Sequence, residues 1–249
     1  IGVTHVLEKP YDVLNDNIRM LSNIIRFAKK QRKLSRFFFA STSEVYAGTL
    51  KFFDLEIPTP ELSPLTISDL SHPRTSYMLS KIYGEAMCQQ AGIPFTIFRP
   101  HNIYGPRMGM SHVIPEQLLK AYNAKDNESI EVFSLDHTRC FCYISDAVEM
   151  LWRMMQIEQC NFKTLNLGTQ NPEVSIEEVV KICFKVAGKS LKINAMSSTP
   201  GSPTRRAPDM TLTNKLLNYA SNVCLSDGIE LTFTWYRKNV FESDKESAK

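Results

Sequence analysis

Two short, continuous apolar runs, Arg36 to Ala40 (RFFFA) and Phe95 to Phe98 (FTIF), constrain the fold most, because each follows a stretch of helical periodicity. Such a run is the signature of a strand buried on both faces of a parallel sheet. Ahead of the first, Leu14, Ile18, Leu21, Ile24, Ile25 and Ala28 recur at helical spacing. Lys29, Lys30, Arg32 and Lys33 then sit where positive charge complements a helix C-terminus. Ahead of the second, Ser76 to Gln90 is helical in pattern, with Gly92 and Pro94 as punctuation. Helix, strand, helix, strand is βαβ rhythm.

Between these units, Lys51 to Pro73 holds four prolines and reads as a long surface loop, since the rhythm resumes unchanged after it. Long loops inside compact domains are usually functional. Beyond Pro106 the texture changes. Val113 to Tyr122 reads as a helix, Ile130 to Phe133 as a strand, and Ser175 to Glu178 opens a helix with a capping box that stops at Gly188. This is a smaller, irregular α/β lobe. Glu242 to Lys249 is charged without periodicity, a frayed tail.

In 249 residues, 43% hydrophobic and 22% charged side chains exclude a disordered, collagenous or coiled-coil chain. A net charge of +3 leaves no electrostatic footprint for nucleic acid or an anionic membrane. No apolar run reaches the ~18 residues of a membrane span, and the N-terminus lacks the layout of a signal peptide. A soluble, cytoplasmic protein is expected. Cys140 and Cys142 lie two apart in a strand-like run, which points them to opposite faces and is the wrong spacing for a zinc knuckle. The six cysteines read as reduced, buried thiols. His101 and His112 have no partner at metal spacing, so no metal is expected.

Chemistry enters with Tyr77 and Lys81, four apart on one helix face. A nearby ammonium favours the phenolate and lets a tyrosine act as a base near neutral pH. Alone, the pair is equally what an exposed helix surface would carry. Two other segments join it: Ser41-Thr42-Ser43-Glu44-Val45-Tyr46 after the first strand, and Arg99 to Arg107 (RPHNIYGPR) after the second. Both lie at the C-terminal edge of a parallel sheet, where ligands bind.

STSEVY (41 to 46), YMLSK (77 to 81) and RPHNIYGPR (99 to 107) together resemble the NAD-dependent nucleotide-sugar epimerase/dehydratase family, the extended short-chain dehydrogenases. Further matches are HTRCFCYISDAVEML (137 to 151), LNLGTQNPEVSIEEVV (165 to 180) and RRAPDM (205 to 210). The resemblance implies an α/β fold: a Rossmann-like doubly wound parallel sheet in residues 1–106, rejoined by roughly 135–168, with a smaller substrate lobe in 107–241. It implies that Tyr77 deprotonates the sugar 4-hydroxyl while hydride passes to NAD, that Lys81 holds the nicotinamide ribose, and that Thr42 bonds the same hydroxyl. It also places Asn17, Ser41 and Pro100 near the cofactor, Glu44 among the catalytic groups, and Ser43, Asn102, Arg139 and Arg206 on the nucleotide-sugar. Paired guanidinium forks suit two phosphates. The family dimerises through the helix bearing Tyr77 and the one before it, so a homodimer is implied, with Ile82, Met87 and the Leu14 helix available for contact.

Dehydratases of the family carry Asp-Glu after the threonine, whereas this chain has Ser43-Glu44, which ranks dehydration below 4-epimerisation and UDP-glucuronate decarboxylation. Thr42-Ser43-Glu44, Pro73-Arg74 and Gly105 to Met108 look like the decarboxylases. A reading of a different class is also open: a noncatalytic nucleotide-sugar-binding remnant. The glycine-rich turn that cradles a dinucleotide pyrophosphate occurs nowhere in the chain, which has only 10 glycines. GVTHVLEKP resembles the family's loop after its fourth strand, implying an N-terminally truncated fold short of roughly 70 to 80 residues.

Overall fold

A computed structural model describes residues 3–67, 69–198 and 203–243. In chain order the first elements are α1 (Val3–Glu8), α2 (Pro10–Ala28), β1 (Phe37–Ala40), a 3₁₀ turn (Ser43–Tyr46), α3 (Ala47–Phe52), α4 (Pro73–Gln90) and β2 (Phe95–Pro100). Next come β3 (Ile103–Tyr104), α5 (Val113–Asn123), β4 (Ser129–Phe133), β5 (Thr138–Arg139), β6 (Cys142–Tyr143) and α6 (Ile144–Gln156). The last are β7 (Lys163–Leu167), β8 (Val174–Ser175), α7 (Ile176–Val186), β9 (Lys192–Met196), β10 (Arg205–Arg206), α8 (Thr211–Leu217) and α9 (Leu225–Tyr236).

These elements form two compact units. The described residues of Ile1–His101, Val148–Gly168 and Pro208–Ala220 make the first; those of Asn102–Ala147, Thr169–Ala207 and Ser221–Lys249 make the second. The division differs from the boundaries read in the sequence. It falls at His101 rather than 106, residues 135–147 go with the second unit, and 208–220 return to the first. Thr213 explains that return: its hydroxyl donates to the Asn166 carbonyl in β7 at 2.8 Å, a tertiary bond with no local signature.

The first unit is built on a parallel sheet in the order β1-β2-β7. Phe37 pairs in register with Phe95 and Ala40 with Phe98, while Ile97 pairs with Thr164 and Pro100 with Leu167. α2 starts on Pro10, whose missing N–H is harmless in a first turn, and buries Val13, Leu21, Ile25 and Ala28. α4 starts on Pro73 behind His72, whose ring nitrogen accepts from the Arg74 N–H. Leu21 and Ile25, Phe39, Cys88 and Ile97 join in one apolar cluster. Gly84 permits the close approach: a Cβ there would lie 2.4 Å from the Phe39 ring.

One expectation is corrected here. β1 is less buried than its apolar run predicts. Phe39 is buried, Phe37 and Phe38 are half-buried and Ala40 is exposed. Arg36 covers part of the deficit by stacking on the Phe38 ring at 5.7 Å and donating to the Met154 and Ile157 carbonyls at the end of α6. The proline-bearing loop is also better anchored than a surface loop. Thr59 is buried and bridges Pro208, and the Thr49 hydroxyl donates to the Pro64 carbonyl at 2.5 Å.

The second unit has three small sheets: β4-β9 and β3-β6, both parallel pairs, and β10-β5-β8, in which β8 runs antiparallel. Its core is aromatic, with Tyr104, Tyr143, Phe233, Tyr236 and Phe241 around Ile114, Leu118 and Ile229. α7 carries the expected capping box of Ser175 and Glu178 and stops before Gly188, at φ 69°. Five of the six cysteines are buried and all are free; Cys224 is exposed, against expectation. Cys140 falls between β5 and β6 rather than inside a strand. Of the expected tail, Glu242 pairs with Arg237 at 3.0 Å and Ser243 bonds the Asn239 carbonyl, which extends the helical end; 244–249 lie outside the described residues.

Candidate active site

The site of the first unit grows from the end of β1. The Ser41 N–H continues the ladder by one bond to the Phe98 carbonyl at 2.8 Å. Thr42, still extended, then caps the 3₁₀ turn, its hydroxyl oxygen accepting from the Glu44 N–H at 3.3 Å. Ser43 is buried in that turn, and Glu44 pairs with Arg74 across 3.6 Å. α4 presents Tyr77 and Lys81 to the same place. The Thr42 hydroxyl lies close enough to the Tyr77 phenol to influence its titration. Burial raises the Tyr77 pKa above the usual 10, the Thr42 hydroxyl opposes that rise, and the Glu44 charge adds to it.

Lys81 Nζ donates to the Ala40 carbonyl at 3.0 Å and lies 5.6 Å from the Tyr77 ring centroid. Burial lowers its pKa. Asn17 reaches across from α2 to donate to the Ser80 hydroxyl at 2.9 Å. Asn17, Ser80 and Lys81 form the polar part of the wall of an otherwise apolar cavity of about 230 Å³ beside β1. Tyr77, Lys81, Thr42, Glu44, Ser41, Ser43, Asn17 and Pro100 thus all belong to one unit, Pro100 half-buried at the end of β2.

Behind them lies a buried polar network that sequence reasoning passed over. Arg99 grips Glu85 with two bonds, Nε to Oε1 at 2.9 Å and Nη2 to Oε2 at 2.6 Å. Both side chains are about 95% buried, with exposures of 5% and 4%. Ser41 donates to Glu85 Oε1 at 2.5 Å. Arg99 Nη1 reaches the Tyr46 hydroxyl at 2.7 Å and the Glu61 carbonyl at 2.8 Å; Tyr46 in turn donates to Asn166. Desolvation pushes the Tyr46 phenol up to about 12. A signal existed: Glu85 follows Tyr77 and Lys81 by eight and four residues on one helix face.

Asn102, Arg139 and Arg206 lie in the other unit. Asn102 adopts a left-handed backbone (φ 42°) and its amide donates to the Cys140 carbonyl at 3.1 Å. Arg139 and Arg206 are register partners on β5 and β10. Arg139 is 9% exposed and donates to the Thr204 and Pro203 carbonyls.

A parallel sheet flanked by helices, with α4 packed against β1 and β2, is a Rossmann-like α/β fold of the short-chain dehydrogenase class. More particularly, the chain belongs to the NAD dependent epimerase/dehydratase family, whose profile matches residues 1–168. It is 32% identical to a UDP-N-acetyl-alpha-D-glucosaminuronate decarboxylase of Bacillus cytotoxicus over 96% of this chain and 74% of that protein. It is 30% identical to UDP-glucuronic acid decarboxylase 1 of Xenopus tropicalis over 93% of this chain, spanning about half (53%) of that enzyme's length. Among solved structures, UDP-glucuronic acid 4-epimerase of Bacillus cereus, bound to UDP-glucuronic acid and NAD, superposes with TM-score 0.73 at 25% identity, covering 89% of this chain and 67% of that one.

Proposed function

We propose that the chain acts on a nucleotide-diphosphate sugar with NAD as cofactor, by way of oxidation at sugar C4, the outcome being decarboxylation of a UDP-sugar acid or 4-epimerisation. The observation that carries this reading is Lys81 Nζ lying 5.6 Å from the Tyr77 ring centroid, with the Thr42 hydroxyl acting on the same phenol. The residues present fit the nicotinamide-ribose end of NAD: the Lys81 ammonium, the Asn17 amide and the Ser80 hydroxyl line one cavity, and the Tyr77 ring lies 5.6 Å from Lys81 Nζ. NAD, when bound, supplies the hydride acceptor. Tyr77 takes the proton of the sugar 4-hydroxyl while Thr42 orients that hydroxyl. In the geometry described, the phenol is held above 10, so it becomes a base when Lys81 turns from the Ala40 carbonyl toward it. Ser41, Asn17 and Pro100 flank the cofactor, and Asn102, Arg139 and Arg206 take the substrate pyrophosphate. Glu44 is the single carboxylate beside Thr42, one short of the acid/base pair that dehydration needs.

We further propose a cytoplasmic homodimer through α2 and α4; among the described residues no helix is long and apolar enough to cross a membrane.

The test is incubation of the protein with NAD and UDP-glucuronate or UDP-hexoses, read by mass spectrometry and sugar NMR. Loss of carbon dioxide marks a decarboxylase, unchanged mass with inverted C4 an epimerase, and loss of water a dehydratase. Tyr77→Phe is expected to cut turnover by about 10²- to 10⁴-fold with little change in sugar affinity. Sugar binding with no turnover in the wild type would leave the remnant reading.

A further inference from the structure

We propose that Glu85, gripped by Arg99, is a positioning residue for the reacting hydroxyls: through Ser41 it sets the strand end that carries Thr42, and through α4 it sets Tyr77. The proposal rests on the reading of Tyr77 as the base. Its geometry is a closed loop of short links. Ser41 bonds Glu85 and is covalently next to Thr42; the Thr42 hydroxyl acts on the Tyr77 phenol and opposes its upward shift; Tyr77 and Glu85 share one face of α4, roughly 12 Å apart along the axis. Arg99 fixes the loop from behind, joining β2 to α4 through Glu85 and to the 3₁₀ turn through Tyr46.

The energetics favour a positional role over simple adhesion. A buried ion pair gains little stability over apolar groups of the same shape, because desolvating two charges offsets their attraction. What it adds is direction: two parallel N–H···O bonds fix one carboxylate orientation, which leaves Oε1 aimed at Ser41. An apolar plug in the same place would pack α4 against β2 equally well and leave Ser41 free to turn.

The test uses the whole chain labelled with 13C at tyrosine Cζ, the Tyr77 resonance assigned with Tyr77→Phe and followed from neutral pH to pH 11. Ser41→Ala removes the tie without changing charge, and Glu85→Asp keeps the charge but shortens the reach. Both are expected to loosen Thr42 and raise the apparent pKa of Tyr77 by about 0.5 to 1 unit, the worth of one hydrogen bond to the phenolate. Thr96→Val is the control. It deletes another buried hydrogen bond of β2, from the Thr96 hydroxyl to the Cys160 carbonyl, and is expected to lower stability without moving Tyr77. Unfolding cannot mimic the result, since it would bring the phenol back toward 10. A Tyr77 titration unchanged in Ser41→Ala and Glu85→Asp, or shifted equally in Thr96→Val, would overturn the proposal. The readout needs no turnover, so an inactive wild type would count against the proposed function alone.

Discussion

The two units hold themselves together with opposite chemistry. In the first, a charged and hydrogen-bonded knot of Arg99, Glu85, Ser41, Tyr46 and Asn166 sits between α4 and the strand ends. In the second, the corresponding interior is a cluster of rings, with Tyr104 edge-on to Tyr143 and Tyr236 stacked on Phe241. Directional bonds tolerate little displacement before they break, whereas apolar contacts fall off gradually and can repack. The unit that carries Tyr77 and Thr42 is therefore the one whose interior specifies angles. The ring cluster specifies volume.

The comparison breaks most visibly at Arg99. Arg99→Met leaves the Glu85 carboxylate buried without its cation, and urea denaturation is expected to show a loss of about 3–5 kcal/mol. Adding Glu85→Leu to that variant should recover most of it, because both charges are then gone; a double variant as unstable as the single would mean the pair itself supplies net stability. In the second unit, Ile229→Val trims one methyl from a fully buried site among the rings, for an expected loss of about 0.5–1.5 kcal/mol. A loss at Ile229 as large as that at Arg99 would erase the contrast.

The smallest effect is in pH dependence, where the units should differ in sign. Burial raises the Glu61 carboxyl in the first unit above its usual 4.5, so its folded form binds a proton first. Its contribution to stability grows as pH falls from above that raised value to the unfolded one. In the second unit, the Arg205 hydrogen bond holds Glu173 below 4.5, so its contribution is present above 4.5 and is lost as pH falls through the lower folded value. Arg205 is half-exposed, which keeps the effect small. Hydrogen exchange followed across the carboxylate range around 4.5, read at Ile97 and at Val179, should show opposite slopes, flattened by Glu61→Gln and Glu173→Gln respectively.

Much of this was legible along the chain. The amphipathic spacing of Leu21, Ile25 and Ala28, the capping box at Ser175 and the Tyr77–Lys81 interval are local patterns, and local patterns survive in one dimension. What escaped was whatever depended on a distant neighbour. RFFFA reads as a fully buried strand, yet of Phe37 to Ala40 only Phe39 is buried, because burial is set by what packs on each residue and not by its apolarity. Arg99 and Tyr46 stood inside motifs that were recognised, yet their roles are set by Glu85, Glu61 and Asn166, which are 14 to 120 residues away along the chain.

The sequence by itself determined the βαβ order, the family and the segments that supply a phenol, an amine and a hydroxyl, since each follows from residue type and short-range spacing. Only the tertiary structure decided that Lys81 rests on the Ala40 carbonyl, that Ser41 faces Glu85 rather than open solvent, and that one guanidinium ties the reacting segments together. Hydrogen-bond partners are chosen by three-dimensional proximity and direction, and neither quantity is written in the spacing of residues along a chain.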